Sequence, residues 1–328
     1  MLCRLAALGV PQAFSRCRQG AAVRGNQVKP LKIRRPLLAT ATISITALLA
    51  AGCGASTMAG TTAATNPTPT PSGSPASQVP SAIRSNGTLI VAADATYAPN
   101  EFIGPDGKTV VGMDADMAKA IGQELGLKVT MVNATFDTII PGLVSGKYDL
   151  GMSSFTDTKA REKVVNFVTY FIAGTSFYVK SSGGPPITSL GDLCGHTVAA
   201  EKGTTQQADA TAQAAKCQAN GKAPVTLQVY NDQNAVNLAL SSGRAQVAMA
   251  DSPVAAYQVR QSHGTFKLSG PPYGTAPYGV AIPKDSGMTE PVLAAVKKVM
   301  ADGTYMKILK KWGVQEGAIS NPAINVGH

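Results

Sequence analysis

Short apolar runs with strand character alternate with helical patterns twice along this chain, and this repetition constrains the fold more than any other feature. In the first half, the strand runs are Thr88–Ala93, 128–132 and 149–153. In the second half, they lie near Phe177, Val198, Leu227 and Val247, with a last run at 279–282. Strands that alternate with helices form parallel sheets covered by helices. The sequence therefore predicts an α/β protein with two parallel sheets.

Capping residues predict where the helices begin. Asp114 is expected to cap a helix whose apolar residues recur every four positions, and Thr156 or Asp157 is expected to cap the helix that carries Arg161. Other helices are expected after Thr205, Asp232 and Ser252, and at 289–300 and 305–312. In open α/β sheets, ligands bind outside the carboxyl ends of the strands, so polar residues that follow strand runs are the candidate site residues.

The basic excess of the chain is confined to its first residues. The sequence has 29 Lys and Arg against 19 Asp and Glu, a net charge of +10, and residues 1–52 contain eight of the basic residues and no acidic one. Subtracting these eight leaves 21 basic residues against 19 acidic ones from residue 53 onward. A nucleic-acid-binding face needs a basic surplus. No nucleic-acid partner is therefore predicted.

The same first residues have the pattern of an export signal. Basic residues extend to Arg35 and are followed by an apolar run at 36–51, which is shorter than the roughly 20 residues of a membrane-spanning helix. The run ends in Leu49-Ala50-Ala51-Gly52-Cys53, which resembles a bacterial lipobox. Residues 1–52 are thus predicted to be a lipoprotein signal peptide and Cys53 the acylated residue, which anchors the protein to the outer face of the cytoplasmic membrane. A plain secretory signal is the alternative.

Residues 53–80 are predicted to form a tether. This segment has no charge, almost no large apolar residue and a Thr-Pro alternation. Such a composition buries too little surface to offset the entropy of ordering, and its prolines favour extended polyproline geometry.

Two cysteines remain in the domain that follows, Cys194 and Cys217. In an exported protein such a pair is readily interpreted as a disulfide, with two free buried thiols as the alternative. The three histidines form no ligand spacing with these cysteines, so no metal site and no cofactor is predicted.

Six polar or glycine-containing segments follow one another along the chain in this order: ADATYAP, FDTIIPGLVSGKYD, SSFTDTKAR, GTTQQ, MAD and PYGVAIPK. Together they resemble the polar-amino-acid branch of the extracellular solute-binding proteins of ABC importers, and the resemblance covers 83–312. It implies a type II periplasmic-binding-protein-like fold, in which two α/β lobes are joined by two hinge strands and enclose a ligand cleft. The implied divisions are 81–173 for the first part of lobe 1, 174–278 for lobe 2, and 279–328 for the rest of lobe 1 and a C-terminal tail.

The resemblance assigns the backbone end of an amino-acid ligand to two groups of residues. Arg161 corresponds to the residue that holds the α-carboxylate, and its planar guanidinium suits that task because it donates two parallel hydrogen bonds. The hydroxyl of Thr156 and the helix start at Thr204 and Thr205 would assist, since free N–H groups at a helix start favour an anion. The α-ammonium corresponds to Asp251, and the serines Ser153 and Ser154 follow a strand end nearby.

The ligand side chain is assigned to the other end of the cleft. Tyr97 and Phe136 correspond to the aromatic walls, and Gln206 is expected to line the same cleft. Asp94 matches a carboxylate that meets the distal charge in the cationic-amino-acid binders of this family. An unpaired charge in a closed cleft is costly, so a cationic side chain needs such a partner.

The resulting functional prediction is capture, by lobe closure, of a basic amino acid (arginine, lysine, ornithine or histidine). A monomeric lipoprotein would deliver it to an ABC permease with its ATPase subunits. One alternative is a neutral polar ligand such as glutamine. The other is an exported enzyme on the same fold, similar to a dehydratase, although the sequence offers no Ser/His/Asp set and no G-x-S-x-G elbow. The prediction is therefore a binding protein and not an enzyme.

Overall fold

The computed structural model of the protein describes residues 73–327. The predicted signal peptide at 1–52, the predicted acylation site Cys53 and the tether up to residue 72 lie outside the described residues. No helix between residues 73 and 327 is long and apolar enough to cross a membrane.

Eleven strands and ten α-helices make up the described part. The strands are β1 Thr88–Ala93, β2 Thr96–Tyr97, β3 Glu101–Ile103, β4 Val110–Val111, β5 Lys128–Asn133, β6 Leu150–Gly151, β7 Val165–Lys180, β8 Thr197–Glu201, β9 Thr226–Tyr230, β10 Val247–Asp251 and β11 Phe266–Pro283. The helices are α1 Pro75–Gln78, α2 Ser81–Asn86, α3 Met113–Glu124, α4 Phe136–Val144, α5 Lys159–Glu162, α6 Thr205–Ala219, α7 Gln233–Ser242, α8 Ser252–Gln261, α9 Thr289–Ala301 and α10 Thr304–Trp312.

Eight strands form one mixed sheet in the order β5-β1-β6-β11-β7-β10-β8-β9. The pairs β1–β5, β1–β6, β8–β9 and β8–β10 are parallel, as expected for βαβ units. The prediction of two separate parallel sheets is wrong because β7 and β11, of 16 and 18 residues, pair antiparallel and continue from one half into the other. These are the two hinge strands. We call the half with β1, β5 and β6 lobe 1, and the half with β8, β9 and β10 lobe 2.

Each lobe has its own apolar core. In lobe 1, Met117, Ile121, Val296 and Leu309 from α3, α9 and α10 pack on one face of the sheet. In lobe 2, Phe177, Val198, Val247 and Met249 pack against α6. The helices cover the sheet because their apolar residues recur at helical spacing, which buries one stripe of each helix.

The predicted disulfide is present between Cys194 and Cys217, with Cα atoms 5.6 Å apart. It ties the segment before β8 to the buried face of α6, where Cys217 is part of the lobe 2 core.

Two predicted helix starts are wrong. Helix α3 begins at Met113, and the fully buried carboxylate of Asp114 accepts hydrogen bonds from Ser154 N and Tyr170 Oη instead of capping the helix. Helix α5 is capped by Thr158, whose Oγ1 accepts from Arg161 N, and not by Thr156 or Asp157.

The segment predicted as tether differs from the structure at its end. Residues Pro75–Gln78 form α1, and Val79 is 2% exposed within the lobe 1 core. Pro75, the first residue of this helix, and Val79, which follows the helix, are both buried, and burial of apolar surface favours its ordering. The C-terminal tail also packs on lobe 1, since Asn325 Oδ1 accepts from Phe167 N and Val326 N donates to Asp157.

Candidate functional site

The polar residues that follow the strands converge between the two lobes. Nine of the eleven predicted ligand residues line one narrow space between the lobes, with a cavity volume of about 10 Å³. They are Tyr97, Phe136, Ser154, Thr156, Arg161, Thr204, Thr205, Gln206 and Asp251. The other two, Asp94 and Ser153, are buried directly behind this lining.

A wider groove, with a cavity volume of about 530 Å³, lies along the hinge strands and residues 313–317. None of the eleven predicted residues lines it. Size alone therefore does not identify the site, and the convergence of polar side chains does.

Arg161 is held in place by both lobes. Its Nη1 donates to Thr156 O at 2.8 Å in lobe 1, and its Nη2 donates to Gly203 O at 3.0 Å in lobe 2. The guanidinium lies over the ring of Phe136, 5.2 Å from the ring centroid. A guanidinium has five N–H donors, so three remain for a carboxylate in the cleft. Burial lowers the pKa of Arg161, and the nearby charge of Asp251 opposes that effect.

Helix α6 points its N-terminus at the same space. Thr204 is the N-cap, and its Oγ1 accepts from Gln207 N and donates to Glu201 O. The N-terminus of a 15-residue helix carries partial positive charge and unpaired N–H groups, which favour an anion. Arg161 and this helix start together make one end of the site suited to a carboxylate.

Asp251 provides the opposite charge. It is the last residue of β10, and its two carboxylate oxygens accept from Gln206 Nε2 at 2.7 Å and Tyr278 Oη at 2.6 Å. Burial raises its pKa to about 6, and the hydrogen bonds from Tyr278 and Gln206 and the charge of Arg161 hold it from rising further. Asp251 is therefore largely ionised at pH 7 and suited to an ammonium group.

The two serines take different positions. Ser153 Oγ accepts from Asp94 N and donates to Glu101, so this side chain faces the lobe 1 interior. Ser154 lines the cleft with a left-handed backbone, φ 50°, and is held by Asp114, Glu101 and Asn100. Sequence reasoning did not single out this buried support, in which Glu101 and Asp114 are both fully buried.

The aromatic walls adjoin a strongly acidic region. The ring centroids of Tyr97 and Phe136 are 5.9 Å apart. Behind them, Asp94 Oδ2 accepts from Phe136 N and Asp94 Oδ1 accepts from Thr96 Oγ1. Glu201, at the end of β8, is 1% exposed, and both of its carboxylate oxygens lack a hydrogen-bond partner, as does Tyr97 Oη.

Glu201 is the main residue that sequence reasoning missed. We call Asp94 and Glu201 the acid pair. Burial, followed by the charge of Asp94, raises the pKa of Glu201 to about 10, and burial also raises the pKa of Asp94. The available signal was its position, because Glu201 is a charged residue directly after the buried run Val198–Ala200, at the carboxyl end of a strand.

Several contacts close the lobes over this site. Lys202 Nζ and Asp137 Oδ2 form a 2.8 Å salt bridge across the cleft, and Gln233 N donates to Thr96 Oγ1. Lobe 2 thus contacts lobe 1 at two places beside the site, so the two lobes are closed on each other.

Most of the residues that the structure describes are similar to known proteins. The profile of the bacterial extracellular solute-binding proteins, family 3, matches residues 89–315. The arginine-binding protein ArgT of Corynebacterium glutamicum is 32% identical over 250 residues, which cover 76% of this chain and 82% of that protein.

Two solved structures are similar over the same region. The structure of an ancestral arginine-binding protein bound to arginine is 36% identical, with a TM-score of 0.64, and the match covers 69% of this chain and 98% of that one. The structure of an ancestral arginine-binding protein bound to glutamine has the same identity and TM-score and covers 70% and 98%.

Proposed function

The chain belongs to the bacterial extracellular solute-binding proteins, family 3, and from that premise we propose that it captures a basic amino acid, with arginine the best-fitting ligand. The α-carboxylate binds Arg161 and the start of α6, and the α-ammonium binds Asp251. The aliphatic part of the side chain lies between Tyr97 and Phe136.

The observation that carries the choice of a basic ligand is the acid pair. Asp94 and Glu201 are 2% and 1% exposed, and no Lys or Arg in the described part of the chain forms a salt bridge with either. A buried carboxylate without a partner is costly, and a guanidinium supplies both the charge and the N–H donors that Glu201 lacks. The arginine-binding relatives support the same ligand.

The remaining site residues have supporting roles. Thr156, Thr204 and Thr205 add hydroxyl or N–H donors to the carboxylate, and Gln206 orients Asp251 through its 2.7 Å hydrogen bond. Ser154 assists at the ammonium. Ser153 acts indirectly, since it fixes the backbone of Asp94.

The proposed cellular role follows from the family and the leader. The protein works outside the cytoplasm, as members of this extracellular family do. A lipid on Cys53 would anchor it to the outer face of the cytoplasmic membrane. As a monomer, it would present its closed, ligand-bound form to an ABC permease, which its ATPase subunits drive.

A neutral polar amino acid is the second candidate ligand. The ancestral arginine-binding protein bound to glutamine favours it, because that fold accommodates an uncharged side chain as well. Glutamine would leave Asp94 without a cation, which is the physical reason to rank it second.

A thermal-shift panel with the common amino acids tests this proposal. The protein is first unfolded and refolded to remove any bound ligand. A ligand at a hundred times its dissociation constant stabilises the fold by about 2.7 kcal/mol, which a melting curve resolves. We expect selective shifts with arginine and smaller ones with lysine, ornithine or histidine.

The matched control is Asp251→Asn, which removes the charge that faces the ammonium and should abolish the shifts. Larger shifts with glutamine or acidic amino acids than with arginine would contradict the basic ligand. No shift with any amino acid would contradict the proposed function as a whole.

A further inference from the structure

The hydrogen bonds of the acid pair are unequally distributed. Asp94 receives two donors, Thr96 Oγ1 and Phe136 N, at 2.7 and 3.0 Å. Glu201 is 1% exposed and receives no donor in good hydrogen-bond geometry at either oxygen, although Tyr97 Oη lies close enough to lower its pKa. One proton on Glu201 would let this side chain donate to Asp94, and it would remove a buried charge next to Asp94.

The groups that face the acid pair do not offset its charge. From β2 and the loop before α7, the neighbours are Tyr97 and Asp232, and the charges of Asp94 and Asp232 both raise the pKa of Glu201. Lys202, next in sequence, pairs with Asp137, and the charge of Arg161 is coupled to Asp251 and Asp157. In the described residues, therefore, no cation stands beside Glu201.

We propose that Glu201 is a specificity-determining residue that holds a proton while the site lacks a cation and releases it to solvent when a cationic side chain binds. This inference rests on the proposed function and deepens it. In the exchange, the Glu201 O–H bond breaks, the electron pair stays on the carboxylate, the proton enters bulk water, and the ligand guanidinium remains protonated and pairs with the acid pair.

The exchange discriminates between ligands of the same shape. A guanidinium brings positive charge and up to five N–H donors, so it replaces the proton both electrostatically and as a hydrogen-bond donor. A ligand side chain that ends in a urea or amide group brings no positive charge. Glu201 therefore keeps its proton, and no cation compensates the negative charge of Asp94. The pKa of Glu201 is about 10 in the empty site and is lower beside a cation. At a pH between these two values, arginine binding releases a proton. In that interval the affinity rises with pH.

Proton counting by titration calorimetry tests the inference. Arginine is titrated into the purified protein at about pH 7.5 in buffers of different ionisation enthalpy. Burial raises the pKa of Asp251 to about 6, so this residue is mostly ionised at that pH and contributes little. The wild-type protein is expected to release up to one proton per arginine, and its arginine affinity should rise by up to about tenfold per pH unit. Citrulline, the uncharged analogue with the same α-amino group, should release none and should bind with a flat pH profile.

The variant Glu201→Gln should release no proton on arginine binding, and its pH profile should be flat. Glu290→Gln, at an exposed position far from the acid pair in sequence, should match the wild type. Equal proton release by the wild type and Glu201→Gln, or none from the wild type, would overturn the inference while arginine binding itself stands. If arginine does not bind at all, the proposed function fails first.

An infrared difference spectrum of wild type against Glu201→Gln gives a readout that needs no ligand. The inference predicts a protonated-carboxyl C=O band from Glu201 in the empty protein at about pH 7.5, which disappears with arginine and persists with citrulline. Absence of this band in the empty protein would overturn the inference, whichever amino acid the protein binds.

Discussion

At the residue scale, the cleft separates two electrostatic tasks. Arg161, the N-terminus of α6 and Asp251 form a charged frame that suits the backbone of any amino acid. The acid pair lies beyond the aromatic walls and bears only on the ligand side chain. Substitutions in the frame should therefore weaken every ligand, whereas substitutions in the acid pair should change which ligand is preferred.

The first prediction concerns the frame. Arg161→Ala should weaken amino-acid binding by about 2–5 kcal/mol, because the ligand carboxylate loses a charge-assisted pair in an enclosed site. Arg161→Lys should recover only part of the lost binding free energy, since an ammonium lacks the planar, paired donors of a guanidinium. Titration calorimetry measures both, with the exposed Arg84→Ala as the control. Unchanged affinity in Arg161→Ala would contradict the site assignment.

The second prediction concerns stability without ligand. The pKa of Glu201 is raised from 4.5 to about 10 in the folded protein. The protonated side chain therefore contributes its full stabilisation of the fold below about pH 4.5, and this stabilisation is lost as the pH rises through 10. The neutral isostere Glu201→Gln should therefore stabilise the empty protein relative to wild type, by an amount that grows from pH 5 to pH 8 and is on the order of 1–3 kcal/mol.

Melting temperatures of the two proteins across that pH range measure the effect, and Glu290→Gln controls for loss of a carboxylate at the surface. A difference between wild type and Glu201→Gln that stays constant with pH would contradict the raised pKa.

At the element scale, the sequence indicates where several helices begin more clearly than it indicates the full length of the hinge strands. The helices after Thr205 and Asp232 were predictable because a cap residue, Thr204 or Asp232, precedes each amphipathic run, whereas α8 has no side-chain cap and begins with a proline in its first turn. The length of β11 was not, because Gly270, Pro272 and Gly274 interrupt its pattern, and only the pairing with β7 on either side of this irregular stretch makes it one strand. Such tertiary pairing overrides local propensity.

The candidate site was predictable to the extent that its residues follow strands in a known order. Nine of the predicted residues line one space, but Ser153 points the other way, since alternate residues at a strand end face opposite sides. Glu201 was missed because a single acidic residue after a strand is indistinguishable from an exposed charge until the lobes close over it. Its neighbours Asp94, Tyr97 and Asp232 come from segments distant in sequence.

The third prediction concerns α1, at the end of the segment expected to be tether. Val79→Ala should lower the free energy of unfolding by about 1–3 kcal/mol, because Val79 is buried in the lobe 1 core. Val144→Ala is the matched control, since Val144 is 62% exposed and should change stability little. Equal effects of the two substitutions in urea unfolding would contradict the packing of α1 on lobe 1.

At the scale of the whole molecule, two lobes on two long hinge strands meet around the candidate site. Closure depends on contacts that exist only when the lobes meet, such as Lys202–Asp137 and Arg161–Gly203. Ligand affinity therefore includes the free energy of lobe closure as well as direct contacts.

The fourth prediction tests a closure contact outside the ligand contacts. Asp137→Asn removes the cross-cleft salt bridge, and because Lys202 is half exposed, the loss should be at most about fivefold in affinity, or about 1 kcal/mol, and should diminish in high salt. Glu124→Gln, which breaks the Lys298–Glu124 bridge within lobe 1, is the matched control and should leave affinity unchanged. Equal losses in the two variants would contradict a role in closure.

The central claim is that the buried acid pair selects a cationic amino acid, and one comparison tests it directly. Titration calorimetry measures the affinities of arginine and citrulline, which have the same shape and the same backbone groups but differ in side-chain charge. We expect arginine to bind at least about 100-fold more tightly, because citrulline leaves the buried Asp94 charge without a partner. Equal affinity, or tighter binding of citrulline, would contradict the account.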